Sequence, residues 1–203
     1  GLVTLAVAER IQPIAAARLA EATYLLLPHD LGAITEEALK VLAEAIDGYN
    51  ALLVGPGLGT EERTGGFVRG LVGAGGAASR RAVGFAARSE PLAPAGPLPL
   101  PPLVLDADAL NLLAQQEGWW ERLPAETVIT PHPGEMARLT GVGLAEIAQD
   151  RLGLARRQAA SWRVTVLLKG AYSVVAAPDG RATIIPFANP LLSSAGSGDV
   201  LAG

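Results

Sequence analysis

Apolar runs of strand length alternate along this chain with stretches of helical periodicity. Most of the early runs are continuously apolar, which is typical of strands covered on both faces. Strands that alternate with helices in this way predict βαβ units and a mainly parallel sheet with helices on both sides. The runs predicted as strands are Leu2–Val7, Tyr24–Leu27, Ala51–Val54, Leu103–Leu105, Thr127–Ile129, Val164–Leu168, Ser173–Ala176 and Thr183–Ile185.

Two stretches between these runs have the spacing of amphipathic helices. Thr35 is expected to cap the first helix, whose first turn carries two glutamates, and Gly48 is expected to end it. A second helix is predicted over residues 144–160. Its spacing predicts one buried stripe made of Leu144, Ile147, Ala148, Leu152, Ala155 and Ala159. Near the end of the chain, Pro178-Asp179-Gly180 separates two β-runs and predicts an antiparallel hairpin near one edge of the sheet.

The segment 75–102 interrupts this alternation. It is rich in Gly, Ala and Arg and then in proline, which occupies six of the twelve positions from Pro91 to Pro102. Helices and ladder strands do not tolerate this much proline. We interpret the segment as a mobile surface insertion in a single domain that spans residues 1–203. Because the chain opens directly on a strand and stops one turn after Asp199, we expect that domain to be partial at both ends.

Composition excludes several classes of protein. The chain has 203 residues, half of them hydrophobic, which is enough for a sizeable core. Its net charge is −4 and its basic residues form no stripe, so nucleic acid is not an expected partner. It has no cysteine, no secretory signal and no apolar run near the roughly 20 residues of a membrane span. We therefore predict a cytoplasmic protein that does not bind membranes.

Ligands of open α/β sheets bind at the carboxyl ends of the strands, so the segments that follow the strands are the candidate sites. Gly55, Gly57 and Gly59 come after the third predicted strand. Glycines let the backbone turn sharply and approach a ligand without a Cβ clash. Two interpretations of this segment have equal weight: a turn that contacts a ligand, and a turn that serves only the fold.

Carboxylates follow the next strand. Asp106, Asp108 and Asn111 lie at a strand-to-helix junction, where they could hold Mg²⁺ through water or orient a ligand hydroxyl. The alternative is that one of the two aspartates is only a helix N-cap, and this is the favoured interpretation of Asp108 taken alone.

His132 follows the fifth predicted strand and lies between two prolines. The two rings restrict the backbone and hold the imidazole rigidly, as a contact to a substrate requires. Glu135 opens the next helix, where it favours the helix dipole or helps to hold a metal through water.

Two further segments can meet a phosphate. Lys169 leaves a buried strand and precedes Gly170, so it could contact a nucleotide phosphate. The alternative, of nearly equal weight, is that Lys169 is an ordinary surface lysine whose charged end reaches the solvent. The segment from Ala195 to Asp199 places small residues at the start of a helix, where successive amides and the helix dipole attract anions. An acid in that position suits a base that takes the proton of a hydroxyl attacking a phosphoryl group; a helix cap is the alternative.

Taken in order, these segments resemble the NAD(P)H-hydrate dehydratase family of the ribokinase-like superfamily. The proline-flanked histidine and the Gly-Pro-Gly-Leu-Gly turn distinguish this family within the superfamily. The matching stretches are Val54–Gly59, Val104–Asn111, Thr130–Glu135, Leu168–Ala171 and Ala195–Gly203.

The resemblance implies a ribokinase-like three-layer α/β/α fold and a repair reaction. Hydrated NADH or NADPH would be phosphorylated on its added hydroxyl by ADP or ATP, with Mg²⁺, and loss of phosphate would restore the dihydronicotinamide. It also implies a homo-oligomer and an epimerase, fused or separate, as a partner.

The resemblance also assigns roles to residues. Asp199 would be the catalytic base and would lie beside the hydrated cofactor, which would also contact Gly55, Gly57, Gly59 and His132. Asp106 and Glu135 would be weaker candidates for Mg²⁺ and its waters. The nucleotide would contact Lys169, Gly170, Ala171, Tyr172, Ser173, Ala195, Gly196, Ser197 and Gly198.

Some positions depart from the family pattern. Tyr172-Ser173 replaces a more usual His-Thr pair, a change that leaves backbone contacts open and weakens the case for side-chain roles there. Two other functions stay open at this point. One is a ribokinase-like kinase for a vitamin-precursor alcohol, which would keep Asp199 without needing His132. The other is a nucleotide-binding module without turnover.

Overall fold

The computed structural model describes residues 1–73, 98–189 and 196–202. The described chain divides into two compact units, which we treat separately. The first comprises residues 1–47 and 61–99, and the second comprises residues 48–60 and 100–203. The single domain over 1–203 therefore stays a prediction. Of the predicted insertion at 75–102, residues 75–97 lie outside the described residues, as do Ala195 and Gly203.

The first unit contains two small β-structures and several helices. Strands β1 and β2 pair in parallel, with Thr4 opposite Thr23, and β3 and β4 form a short antiparallel hairpin. Its elements are β1 (Thr4–Ala8), a 3-10 turn (Glu9–Ile11), α1 (Gln12–Ala16), β2 (Thr23–Leu27), β3 (His29–Asp30), β4 (Ala33–Ile34), α2 (Ala38–Ala45) and α3 (Glu62–Leu71). Its core includes Leu27, Ile34, Leu39, Leu42, Phe67, Val68 and Leu71.

Two predictions for the first unit need correction. The first strand begins at Thr4, and Leu2 and Val3 are exposed, so the apolar start of the chain is not a buried strand. Thr35 does not cap α2, which begins at Ala38. Its hydroxyl donates instead to the Pro28 carbonyl (3.5 Å), across the β3–β4 hairpin. Local polar competition of this kind is what moves Ser and Thr away from expected caps.

A six-stranded sheet forms the second unit. Its strand order is β10-β9-β8-β7-β6-β5, with β5 to β8 parallel and β9 and β10 antiparallel to their neighbours. Its elements are β5 (Leu52–Val54), β6 (Leu103–Leu105), α4 (Ala107–Leu113), β7 (Thr127–Ile129), α5 (Pro133–Thr140), α6 (Leu144–Gln149), α7 (Arg151–Trp162), β8 (Thr165–Leu168), β9 (Val174–Ala176), β10 (Ala182–Ile184) and α8 (Ser197–Ala202).

This architecture confirms the α/β class, the mainly parallel sheet and the antiparallel hairpin at one edge. The inner strands alternate with helices, and their side chains are largely buried because neighbours cover them. Leu103, Leu105, Ile129, Val166 and Leu168 are inaccessible to solvent. Within residues 1–73, 98–189 and 196–202, every helix is too short or too polar to cross a lipid bilayer.

The helix predicted over 144–160 is two helices. Asp150 separates α6 from α7 with a backbone outside the helical region (φ −139°, ψ 64°). Its carboxylate accepts a hydrogen bond from the Gly153 amide (2.8 Å) and so caps α7. The periodicity continues across the break, which is why one helix was expected. Leu144 and Leu152, two members of the predicted stripe, are exposed.

The three tryptophans of the chain lie together in the second unit. The ring of Trp119 meets Trp120 edge to face at 5.7 Å and Trp162 at 5.1 Å, measured between centroids. Trp119 and Trp162 are buried. This aromatic cluster joins the end of α7 to the segment that precedes β7.

Candidate functional site at the carboxyl ends of the parallel strands

Four parallel strands place the predicted site segments side by side. Strands β5, β6, β7 and β8 are neighbours in that order, so their carboxyl ends share one edge of the sheet. Backbone hydrogen bonds continue the ladder past the strand ends. The amide of Asp106 donates to Val54 (3.1 Å), that of Thr130 to Leu105 (3.1 Å), and that of Lys169 to Pro131 (2.8 Å). Each predicted segment is thereby fixed against the next.

Gly55 is the residue that lets the first two segments meet. Its φ is +134°, and a Cβ placed on it would lie 1.7 Å from the Asp106 carbonyl oxygen. Only glycine permits this approach. At the other end of the turn, the Gly59 amide donates to the Asp108 carboxylate (2.8 Å). Asp108 therefore ties the glycine turn to α4 and does not cap that helix.

A buried ion pair joins the second and fourth segments. The Lys169 ammonium donates to a carboxylate oxygen of Asp106 at 2.6 Å. The Asp106 side chain is 1% exposed and that of Lys169 is 17% exposed. Asp106 occupies the N-cap position of α4, but its side chain makes no capping bond, so the cap alternative does not describe it.

Backbone strain occurs next to this pair. Ala107, the first residue of α4, has a φ of +48°, in the left-handed region. This conformation costs a non-glycine residue about 1–2 kcal/mol. Residues held in such conformations cluster at active sites, where the surrounding structure fixes them. Here the hydrogen bonds of the flanking residues, Asp106 and Asp108, hold Ala107 in place.

His132 and Glu135 form a capping box at the start of α5. The His132 Nδ1 accepts from the amides of Gly134 (2.9 Å) and Glu135 (3.3 Å), and a Glu135 carboxylate oxygen accepts from the His132 amide (2.7 Å). Because Nδ1 is an acceptor, the proton of the neutral ring is on Nε2. The His132 side chain is half exposed and that of Glu135 is buried, so the ring keeps an accessible face.

The turn after β8 contains five predicted nucleotide contacts. Gly170, Ala171 and Tyr172 are exposed, and Tyr172 has a φ of +55°. The Ser173 hydroxyl donates to the Gly170 carbonyl (3.0 Å), so it is engaged within the turn.

The last segment lies near the ion pair. A Cβ placed on Gly198 would be 3.5 Å from the Lys169 side-chain nitrogen, which puts the first turn of α8 beside that ammonium. Gly196 has a φ of +87°, and Asp199 is exposed in the first turn of the helix. The predicted contact at Ala195 lies outside the described residues.

Two residues of this edge were not identified from the sequence. Arg151, at the start of α7, donates to three carbonyls of the turn after β8. A cation at the positive end of a helix is unfavourable, and that misplacement was the available signal. Thr130, two residues before His132, has a buried hydroxyl that lacks a partner among the described residues.

Metal binding has limited support from side chains alone. Within the described ranges, no three His, Asp or Glu side chains are grouped as metal ligands. Asp106 has one carboxylate oxygen on Lys169, whereas both oxygens of Glu135 are directed at His132. Of the two predicted magnesium ligands, Asp106 therefore has the freer oxygen.

Comparison with known proteins places this geometry in context. A profile of the family described as NAD(P)H-hydrate dehydratase matches residues 90–203. The bifunctional NAD(P)H-hydrate repair enzyme Nnr of Moorella thermoacetica is 39% identical over 204 residues, which cover 100% of this chain and 34% of that protein. Its counterpart from Salinibacter ruber is 42% identical over 86% of this chain and 28% of its own length.

Solved structures agree with the fold. The ADP/ATP-dependent NAD(P)H-hydrate dehydratase of Bacillus subtilis, co-crystallised with ATP/Mg²⁺ and soaked with CoA, has a TM-score of 0.67 and 28% identity, covering 100% of this chain and 61% of its own. A ribokinase-like superfamily protein from Enterococcus faecalis has a TM-score of 0.69 and 22% identity, and the match covers 99% of this chain and 58% of that protein. At this level of identity the similarity supports the fold alone. The chain thus spans 34% of the Moorella relative's length and 61% of the Bacillus structure.

Proposed function

This chain belongs to the NAD(P)H-hydrate dehydratase family, and on that basis we propose that it carries out the ADP- or ATP-dependent dehydration of hydrated NADH or NADPH. The observation that carries the proposal is the meeting of α8 with the buried ion pair. Gly198, one residue before Asp199, lies beside Lys169, whose ammonium is bound to Asp106. An ammonium group, a glycine-rich backbone and an exposed carboxylate thus share one edge of the sheet, and together these groups suit phosphoryl transfer.

In the proposed reaction, Asp199 is the general base. It takes the proton of the added hydroxyl of the hydrate as that oxygen attacks the terminal phosphorus of the nucleotide. The shorter nucleotide leaves, and the new phosphate ester then eliminates phosphate and a ring proton, which restores the double bond of the dihydronicotinamide. Asp199 suits the role because it is exposed in the first turn of α8, directly after Gly198, which lies beside Lys169.

The hydrated cofactor is proposed to bind on the β5 and β7 side of the edge. Gly57 is exposed there, between the buried Gly55 and the partly buried Gly59, and the side chain of His132 is half exposed. The buried, unpartnered hydroxyl of Thr130 supports a polar ligand at the same place.

The nucleotide is proposed to bind on the β8 side, along Lys169–Ser173 and Gly196–Gly198, with Ala195 adjoining. When bound, Mg²⁺ would neutralise charge that develops on the transferred phosphoryl group. Magnesium in phosphoryl-transfer sites is held by one or two carboxylates together with the substrate phosphates. The single free oxygen of Asp106 fits that arrangement, and Glu135 is the weaker candidate.

The bifunctional names of the Moorella and Salinibacter relatives support a second activity in the whole protein. We propose that this activity is an epimerase acting on the same hydrate, that the protein is a homo-oligomer, and that it works in the cytoplasm.

The test is Asp199→Asn in the full-length protein. We expect dehydration to fall at least about 100-fold, the range of a lost general base, while the nucleotide still binds. Asp179→Asn is the control, because it neutralises an exposed acid that pairs with Arg181 on the surface. Unchanged turnover in Asp199→Asn would overturn the proposed role. Faster phosphorylation of a vitamin-precursor alcohol than of hydrated NADH would instead indicate a kinase.

A further inference from the structure

The guanidinium of Arg151 lies inside the turn that follows β8. Its Nη2 donates to the carbonyl oxygens of Leu168 (3.3 Å) and Lys169 (3.1 Å), and its Nη1 donates to that of Ala171. One side chain from α7 therefore binds three carbonyls within four residues. A planar guanidinium presents its donors in a fixed fork that spans these carbonyls, whereas a lysine ammonium is a compact point charge on a flexible stem.

The turn is shaped around this side chain. Gly170 has a φ of +147°, and a Cβ placed on it would lie 2.7 Å from the Arg151 Nη2. Any other residue would push the guanidinium away from its acceptors. The Arg151 Nε is buried and has no acceptor within the described part of the chain, so the three carbonyls are the main compensation for holding this charge.

Fixing the carbonyls also fixes the amides. Every peptide bond in the described residues is trans, so each N–H points away from the C=O of its own peptide group. The carbonyls of Lys169 and Ala171 face Arg151, and their peptide partners are the amides of Gly170 and Tyr172. These two amides therefore face the opposite side of the turn, where both residues are exposed. Neither amide has an acceptor among residues 1–73, 98–189 and 196–202.

We propose that Arg151 is a positioning residue for the nucleotide: it holds the turn so that the amides of Gly170 and Tyr172 donate to the phosphate groups of ADP or ATP. Concave groups of free backbone amides bind anions in many proteins, and the guanidinium behind them adds positive potential. The inference rests on the proposed function for the identity of the nucleotide. It explains why backbone contacts suffice although Tyr172-Ser173 departs from the family's usual side chains.

The test compares Arg151→Lys with Arg157→Lys in the full-length protein. Both changes keep a positive charge on α7, but Arg157 pairs with Asp150 on the surface and does not touch the turn. We expect Arg151→Lys to raise the nucleotide KM about tenfold, as loss of one charge-assisted hydrogen bond would, and to leave the hydrate KM within about twofold. Arg157→Lys should change neither constant.

A second measurement separates positioning from general structural damage. Guanidinium ion at millimolar concentration should partly restore nucleotide binding to Arg151→Ala and have no effect on the wild type. Equal nucleotide KM values for the wild type and Arg151→Lys would overturn the inference. So would a loss of kcat in Arg151→Lys with both KM values unchanged.

Calorimetry with ADP or ATP alone keeps the two proposals distinguishable. If the wild type binds nucleotide but does not dehydrate the hydrate, the proposed function fails, and the affinities of the Arg151 variants still decide the inference. A tenfold weaker nucleotide affinity in Arg151→Lys supports it, and an unchanged affinity contradicts it. If the wild type binds neither ADP nor ATP, both proposals are wrong.

Discussion

The side-chain nitrogen of Lys169 lies 2.6 Å from a carboxylate oxygen of Asp106, although 63 residues separate them in the chain. The Asp106 side chain is almost fully buried, and the Lys169 side chain, at 17% exposed, is partly buried. Each charge is therefore tolerated because the other is present.

Asp106→Asn should destabilise the protein, because it leaves the Lys169 charge buried without a counter-charge. We expect the free energy of unfolding to fall by about 3 kcal/mol, the cost of breaking a buried pair from one side. Urea denaturation measures this change. Asp179→Asn removes a carboxylate from an exposed pair with Arg181 and should have little effect. Equal effects of the two substitutions would mean that the Asp106–Lys169 pair is no more important to stability than a surface pair.

Gly55→Ala should be far more damaging than Gly57→Ala. A Cβ on Gly55 would overlap the Asp106 carbonyl oxygen, whereas one on Gly57 would meet nothing within 4 Å. We expect Gly55→Ala to cost about 3 kcal/mol or more and Gly57→Ala about 1 kcal/mol, which is the penalty of a positive φ alone. Urea denaturation of both variants gives the comparison. Similar losses would show that backbone strain, and not the close approach to Asp106, dominates at Gly55.

His132→Asn should separate the capping role of this histidine from the proposed contact with the hydrate. Asparagine is among the best N-cap residues, so the cap on α5 survives and stability should change by less than about 0.5 kcal/mol. The imidazole is lost, however, and the hydrate KM should rise about tenfold. His132→Ala should show the same KM change together with about 1 kcal/mol of lost stability. A normal hydrate KM in His132→Asn would show that His132 does not contact the hydrate and that its role is to cap α5.

Asp150 gives a prediction about pH. The hydrogen bonds from Arg157 and from the Gly153 amide hold the pKa of the Asp150 carboxyl below its ordinary value of 3.8. Since the folded pKa is the lower one, the stabilisation is fully present above pH 3.8 and is lost as pH falls through the folded pKa. The stability difference between the wild type and Asp150→Asn should therefore be constant near neutral pH and shrink in acid. A difference that does not shrink as the pH falls below 3.8 in urea denaturation would contradict this prediction.

Much of the sheet could be predicted because its strands are local patterns. Apolar runs identified β5 to β9 to within one or two residues, and the shared carboxyl edge followed from the parallel arrangement. Short elements were harder. The two-residue strands β3 and β4 carry no periodicity, and the break at Asp150 lies inside a continuous helical pattern.

Contacts between distant segments could not be predicted from one sequence. Nothing near Asp106 indicates that its partner is Lys169, because the pairing depends on how β6 and β8 are placed in the sheet. Arg151 is a similar case. Its misplacement at a helix start hints that something else holds it, but the three carbonyls that do so become visible only when the turn after β8 is built.

The tryptophan cluster has a practical consequence for these measurements. All three indole rings are in the second unit, so tryptophan fluorescence, excited selectively, reports on the unfolding of that unit alone. The second unit also contains the four residues substituted above for stability measurements, Gly55, Asp106, His132 and Asp150. The emission signal therefore follows the unfolding of the unit that each of these substitutions changes. Circular dichroism in the far ultraviolet sees both units. Coincident melting curves from the two signals would show that the two units unfold as one cooperative body.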